Sequence, residues 1–291
     1  MPRSLLTGAA LLVVFSAAAC DDGARDASVT LEFRPNVAVG EEAYLCFGFD
    51  AGAVPTAGIN RIDWAPPDGG PIALHHAKLY ALPSAYPRGP IPCDQQPTGA
   101  VPLHTWLPGG GSLSLPDDVA VTPPSDTVSL VIEAHVFRGG SGEAPVARAR
   151  LGLARATAAI RAGWTARSGI VPALRPHHLE TSTDRCVVAA PFHVFVAWPH
   201  EHLLGRSFQA ALTTGAGAAT LIDVPSWNFA AEAPSVLDRD VAAGDLLDVT
   251  CTWFNSTDDY VLPGPKTTDE MCGLGMIVSP PLGARLPCTA G

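Results

Sequence analysis

Short runs in which apolar residues alternate with polar ones, or continue unbroken, recur along the chain at strand length: residues 29–33, 43–49, 74–82, 128–137, 151–160, 187–198, 207–212, 246–254 and 276–278. Successive side chains of a strand point to opposite faces, so such runs separated by turn residues predict an all-β chain built as antiparallel sandwiches. The run 151–160 is rich in Ala and also suits a helix. The Gly- and Pro-rich segments 52–71, 83–102 and 108–124 read as loops. One set of runs closes and another opens across residues 161–175, which predicts two domains, 28–165 and 166–291.

Composition narrows the picture. The 291 residues include 28 Gly and 28 Pro, which argues against long helices, while 47% hydrophobic and 16% charged residues describe a chain able to bury a core. Lys and Arg number 18 against 28 Asp and Glu, a net charge of -10, and only two of the basic residues are Lys. Phosphate neutralisation needs clustered cations, so no nucleic-acid partner is expected.

The N-terminus carries Arg3, an apolar stretch over residues 5–19, then Cys20, Asp21 and Asp22. Residues 1–19 read as an export signal too short for a membrane span. The A-A-A-C ending resembles a bacterial lipoprotein signal with Cys20 as the lipidated residue, and its small residues suit plain cleavage nearby as well. The mature chain is expected to be exported, as a periplasmic or cell-surface lipoprotein or otherwise secreted. The six other cysteines, at 46, 93, 186, 251, 272 and 288, are even in number, which in an exported chain reads as three disulfides in one of fifteen connectivities. No C-x-x-C pair supports a zinc ribbon or a thioredoxin-type site.

Histidines supply the candidate chemistry. His200 and His202 lie two apart in a strand-like run, so they share a face and can converge on one ion while Glu201 points away. His75 and His76 are adjacent and face opposite sides of an ideal strand, so both can reach one ion only at a strand end, a bulge or a strong twist. His135 lies inside an apolar run, where a lone histidine is more often a core residue. Imidazole suits zinc, copper, iron and nickel, and a thioether beside two imidazoles points to reduced copper. Met271 and Met276 are the thioethers of the mature chain.

The order of these motifs is informative: H-H-x-x-L-Y, an apolar run ending in E-A-H, then H-V-F-V-A-W-P-H-E-H-L-L-G, G-D-L-L-D-V-T-C and D-E-M-C. From about Tyr44 to Cys288 the chain resembles the copper type II, ascorbate-dependent monooxygenases, which include the peptidylglycine alpha-hydroxylating and dopamine beta-monooxygenases. The resemblance implies two jelly-roll-like antiparallel sandwiches with a solvent-filled cleft between them and one copper ion on each. His75, His76 and His135 would hold an electron-storing copper. His200, His202 and Met271 would hold the copper where dioxygen is used to hydroxylate a small substrate, with ascorbate or a similar reductant as cosubstrate and the chain acting as a monomer. The implied disulfides are Cys46–Cys93, Cys186–Cys288 and Cys251–Cys272. Glu133, two residues before His135, is a candidate for orienting an imidazole, and a structural role suits it equally.

The resemblance has gaps. Peptide-hydroxylating members use an Arg, an Asn and a Tyr to hold a terminal carboxylate, and those places read Trp198, Gly273 and Gly275 here. Loss of the guanidinium fork argues against peptide amidation, and the two glycines with Trp198 suggest a roomier, more apolar pocket, although Trp198 serves equally well as a packing residue. His177 and His178 read as surface loop residues, His193 and His104 as structural, and Met276 as core. The alternative function from another class is an exported copper-binding or copper-storage protein without an organic substrate.

Overall fold

A computed structural model describes residues 28–54, 58–66, 72–93, 96–142, 146–153 and 159–289. The expected signal 1–19 and Cys20 lie outside the described residues. In chain order the strands are β1 (Ser28–Phe33), β2 (Glu42–Asp50), β3 (Ile59–Ala65), β4 (Ile72–Leu82), β5 (Ile91–Pro92), β6 (Val101–Trp106), β7 (Leu113–Ser114), β8 (Val119–Val121), β9 (Ser129–Arg138) and β10 (Ala147–Leu153). They continue with β11 (Ile160–Ser168), β12 (Leu179–Val188), β13 (Phe192–His200), β14 (Gly205–Thr214), β15 (Gly217–Val224), β16 (Ser235–Val241), β17 (Leu246–Phe254), β18 (Gly273–Ser279) and β19 (Cys288–Thr289). No α-helix occurs among the described residues, so the chain is all-β.

Two five-stranded sheets, β5-β2-β9-β4-β6 and β15-β14-β17-β12-β19, pack on opposite halves of a nine-stranded sheet ordered β1-β10-β3-β8-β11-β18-β13-β16, with β7 beside β3. Within that long sheet β11 pairs in parallel with β8 through Ile160, Arg161 and Ala162, and antiparallel with β18 from Gly163 to Ser168. One strand therefore carries the hydrogen bonding from one half of the molecule into the other.

Each half has its own core. Leu79, Leu130, Ile132, Ile59, Ile62 and Leu151 are fully buried in the first, where Phe195, Val196, Trp198 and Ile277 from the C-terminal half join them. Phe208, Val249, Trp253, Leu274 and Met276 fill the second. Each such side chain contributes on the order of 2 kcal/mol through the apolar surface it removes from water. β17 alternates half-buried and buried positions along its whole length, as a strand with one core face must. β9 is buried at eight consecutive positions because its second face is covered too, where Val131 packs against Cys46, Tyr80, Leu82, Tyr86 and Cys93.

Several local expectations are corrected. The expected loop 52–71 contains β3, 83–102 contains β5 and leads into β6, and 108–124 contains β7 and β8. The run 187–198 is two strands, because residues 189–191, ending in Pro191, turn the chain between β12 and β13. The run 151–160 is neither one strand nor a helix along its described residues: β10 ends at Leu153 and β11 starts at Ile160. β15 and β16 carry weak alternation since most of their positions stay at least partly exposed.

Candidate metal centre

Strand pairing assembles the first histidine group. β4 and β9 pair with a bulge between Leu74 and His76, and His76 then lies opposite His135. The extra residue of a bulge breaks strict alternation, which is the condition adjacent histidines need to serve one site. The rings of His75 and His76 approach that of His135 with centroids at 5.0 Å and 4.9 Å. Tyr44, opposite His135 on β2, stacks on it at 4.0 Å.

A carboxylate the motifs did not single out closes this group. Glu42 Oε1 lies 2.6 Å from His135 Nε2 and 3.9 Å from His75 Nδ1. The ligating atoms of Glu42, His75 and His135 all lie within 4.8 Å of one another, so the carboxylate stands where it can either orient an imidazole or donate to an ion. Thr267 ties it to the other half of the chain: its hydroxyl donates to Glu42, its backbone N–H reaches Glu42 Oε1 at 3.3 Å, and its Oγ1 lies 2.8 Å from His75 Nδ1. The Tyr44 hydroxyl donates to the Pro265 carbonyl on the same segment. Burial raises the Glu42 pKa, but the Thr267 hydrogen bonds and His135 outweigh it and hold the carboxyl below its usual range.

The second group lies where β13 ends. His200 is the last residue of β13 and pairs with Gly273, the first of β18. His200 Nδ1 is 2.8 Å from Glu232 Oε2, and His202 Nδ1 is 2.9 Å from the Asp269 carbonyl. With Nδ1 so engaged, Nε2 of each ring is the nitrogen left for an ion. Glu270 gathers the segments on either side: it accepts the backbone N–H groups of His202 at 3.0 Å, Leu204 at 2.6 Å and Met271 at 3.3 Å. Met271 is thereby held beside His202, and the Cys251–Cys272 disulfide anchors the next residue.

The two groups meet. His76 and His200 have ring centroids 6.4 Å apart, and Phe229 lies 5.5 Å from His75 and 6.0 Å from His202. His76, His135 and His202 are buried, and the rings of the two groups pack close together. Burial pushes the pKa values of His135, His200 and His202 down to about 4, and that of His76 well below its usual value. At neutral pH these imidazoles are uncharged, the form that donates a lone pair to a metal. The buried Nε2 of His76 has no hydrogen-bond partner, an orphan that an ion would satisfy. Neutral imidazoles suit copper, and Met271, which carries a thioether, lies on the segment that Glu270 ties to the His202 backbone.

The remaining candidates fall elsewhere. Glu133 pairs with Lys78 at 3.2 Å and accepts from the Tyr80 hydroxyl at 3.3 Å, so its partners are not imidazoles. The orienting groups are Glu42 and Glu232, which are remote in sequence and left no spacing signal. The roomier pocket is also corrected. A Cβ at Gly275 would fall 2.2 Å from Cη2 of Trp164, whose indole occupies that space, whereas one at Gly273 would meet His200 Cβ at an ordinary 3.5 Å. Trp198 is buried against Trp164 and His104 with centroids at 5.4 Å and 5.2 Å, as a packing residue. His104 accepts the Trp64 indole N–H at 3.1 Å, and His193 lies between Asp238 and Asp240. His177 contacts Asp258 on the surface, and Met276 is core.

Cys46–Cys93, Cys186–Cys288 and Cys251–Cys272 are bonded, the pairs the resemblance implies, and they suit an oxidising compartment.

Comparison with known proteins agrees with this chemistry. No curated protein matches the chain. The major capsid protein P2 of bacteriophage PM2 is similar at 8% identity and a TM-score of 0.34, covering 86% of this chain and 96% of that one. The STIV major capsid protein is similar at 8% identity and a TM-score of 0.33, covering 90% and 93%. Likeness this faint carries no functional weight. Residues 160–278 match the profile of the copper type II ascorbate-dependent monooxygenase C-terminal domain, which spans both β13 with His200 and the D-E-M-C segment with Met271. Over residues 160–278 that match supports the resemblance to the copper type II ascorbate-dependent monooxygenases.

Proposed function

We propose that this chain is an exported copper monooxygenase that hydroxylates a C–H bond of a small organic substrate, using dioxygen and an external one-electron reductant such as ascorbate. The observation that carries the reading is the convergence of two neutral imidazole groups, from β4 and β9 and from the end of β13, to a closest ring separation of 6.4 Å. We assign His75, His76 and His135 to one copper and His200, His202 and Met271 to the second, with halves 28–165 and 166–291 each carrying one. Cys20 is the proposed lipid anchor of a monomeric chain in the periplasm or at the cell surface.

Copper held by these residues would supply one-electron chemistry, with electron storage expected of the His75, His76 and His135 site and dioxygen use of the His200, His202 and Met271 site. The chain's own residues prepare that chemistry. Glu232 and the Asp269 carbonyl hold His200 and His202 by Nδ1 and present Nε2 of each. Glu42 holds His135 by Nε2 and leaves its Nδ1. Glu270 and the Cys251–Cys272 bridge fix the backbone that carries Met271. In the balanced reaction, R–H, dioxygen, two electrons and two protons give R–OH and water.

One observation favours the second reading, copper binding or storage without an organic substrate: Trp164 fills the space beside Gly275 where the sequence left room for one. Copper analysis of the purified, reconstituted chain beside a His200→Ala, His202→Ala variant tests the assignment. Two ions falling to one support it, and one or none in the wild type refutes it. Oxygen uptake that needs copper and reductant and yields a stoichiometric hydroxylated product separates enzyme from storage protein.

A further inference from the structure

We propose that Lys78 is an anchor for a small organic anion, of the carboxylate or enediolate type, at the edge of the paired histidine groups. Lys78 follows His76 by two residues on β4 and so shares its sheet face. Its Nζ lies 3.2 Å from Glu133 Oε1, and the two side chains differ sharply in exposure, 36% for Lys78 and 3% for Glu133. The carboxylate is sunk in the protein, where Tyr80 also donates to it, and the ammonium is held above it at the surface. An ammonium has three N–H donors, and Glu133 engages only part of that capacity.

The setting makes this cation selective. The chain has two lysines, Lys78 and Lys266, against a net charge of -10. Both flank the histidines: Lys266 is exposed on the segment whose next residue, Thr267, contacts His75. On the Gly275 side the ring of Trp164 fills the space. A lysine binds as a single point charge, so it fits a compact anion rather than a peptide terminus with a fixed fork geometry. Such an anion has two sources, an organic substrate carrying a carboxylate or the ascorbate monoanion itself.

This inference deepens the monooxygenase reading and rests on it for the role of the anion, but binding is measurable without turnover. The test is saturation-transfer NMR on the full disulfide-bonded chain, with and without copper, using benzoate, ascorbate in the copper-free samples, and uncharged benzyl alcohol. The expected result is saturation of at least one anion and not of the alcohol. It weakens at least fivefold in Lys78→Met and persists in Lys78→Arg. The double variant Lys78→Met, Glu133→Gln, which leaves no lone buried charge, should lose the signal while melting like the wild type. Benzoate responding points to a carboxylate substrate, ascorbate alone points to the reductant, and both responding identifies a shared anchor. Equal signals in wild type and Lys78→Met, or none for either anion in the wild type, overturn the proposal. Copper content of the same samples reports separately on the two-copper reading: a Lys78-dependent signal in a chain that holds fewer than two ions leaves the anchor standing and removes that reading.

Discussion

The buried carboxylate of Glu232 lies 2.8 Å from Nδ1 of His200, 32 residues away in sequence and on a different segment. A ring held by one nitrogen presents the other in a fixed direction, and loss of such a partner typically lowers metal affinity about 10- to 100-fold. Glu232→Ala should therefore weaken copper binding at the His200 site by that factor and leave the His75 group unaffected, with Glu232→Gln closer to the wild type. Competition titration against a copper(I) chelator reads both sites. Unchanged affinity in Glu232→Ala would show that the contact does not orient the ligand.

Met271 and Cys272 are adjacent but act differently. Met271→Ala removes one weak donor and should abolish hydroxylation while leaving the fold and the three-histidine copper in place. Opening the Cys251–Cys272 bridge by replacing both cysteines with Ser releases a constraint of 21 residues and should cost about 3 kcal/mol of stability. Thermal unfolding of the two variants separates these effects. Near-normal turnover in Met271→Ala would be incompatible with the assignment of the second copper.

Gly275→Val puts side-chain atoms where Trp164 already lies, since even a Cβ there would come within 2.2 Å of the indole. Overpacking of this kind costs about 1–3 kcal/mol. A fall in the urea midpoint is expected, and Trp164→Ala combined with Gly275→Val should recover part of it. No loss in Gly275→Val would mean that the space is open after all.

Glu201 is fully buried, and burial together with the nearby Glu270 carboxyl pushes its pKa up to about 9. A carboxyl raised on folding contributes its full stability below its ordinary value near 4.5 and loses it as pH climbs towards 9. In the metal-free chain, Glu201→Gln should gain on the wild type by up to about 1.4 kcal/mol for each pH unit between 5 and 8. Urea midpoints at these two pH values measure the gain, and parallel profiles for the two proteins would contradict it.

Local pattern was enough for the all-β class, for the shared spacing of His200 and His202 and for the even set of cysteines, because those signals depend on neighbours in sequence. Alternation reports one buried face; the two-residue spacing predicted a shared strand face for His200 and His202, whereas β13 ends at His200 and His202 lies just beyond it. The pairing of the cysteines and the division of the ligands came instead through family resemblance. The half-exposed strands β15 and β16 and the strand β3 inside a Gly- and Pro-rich segment gave little alternation to read. Tertiary structure alone decided which carboxylates serve the imidazoles. Glu42 reaches His135 across 93 residues, Glu232 reaches His200 across 32, and Glu270 reaches the backbone of His202 across 68, contacts made by strand register and chain reversal rather than by spacing. It also decided that Trp164 fills the room left by Gly275, because a missing side chain marks a vacancy in sequence and only packing determines what occupies it.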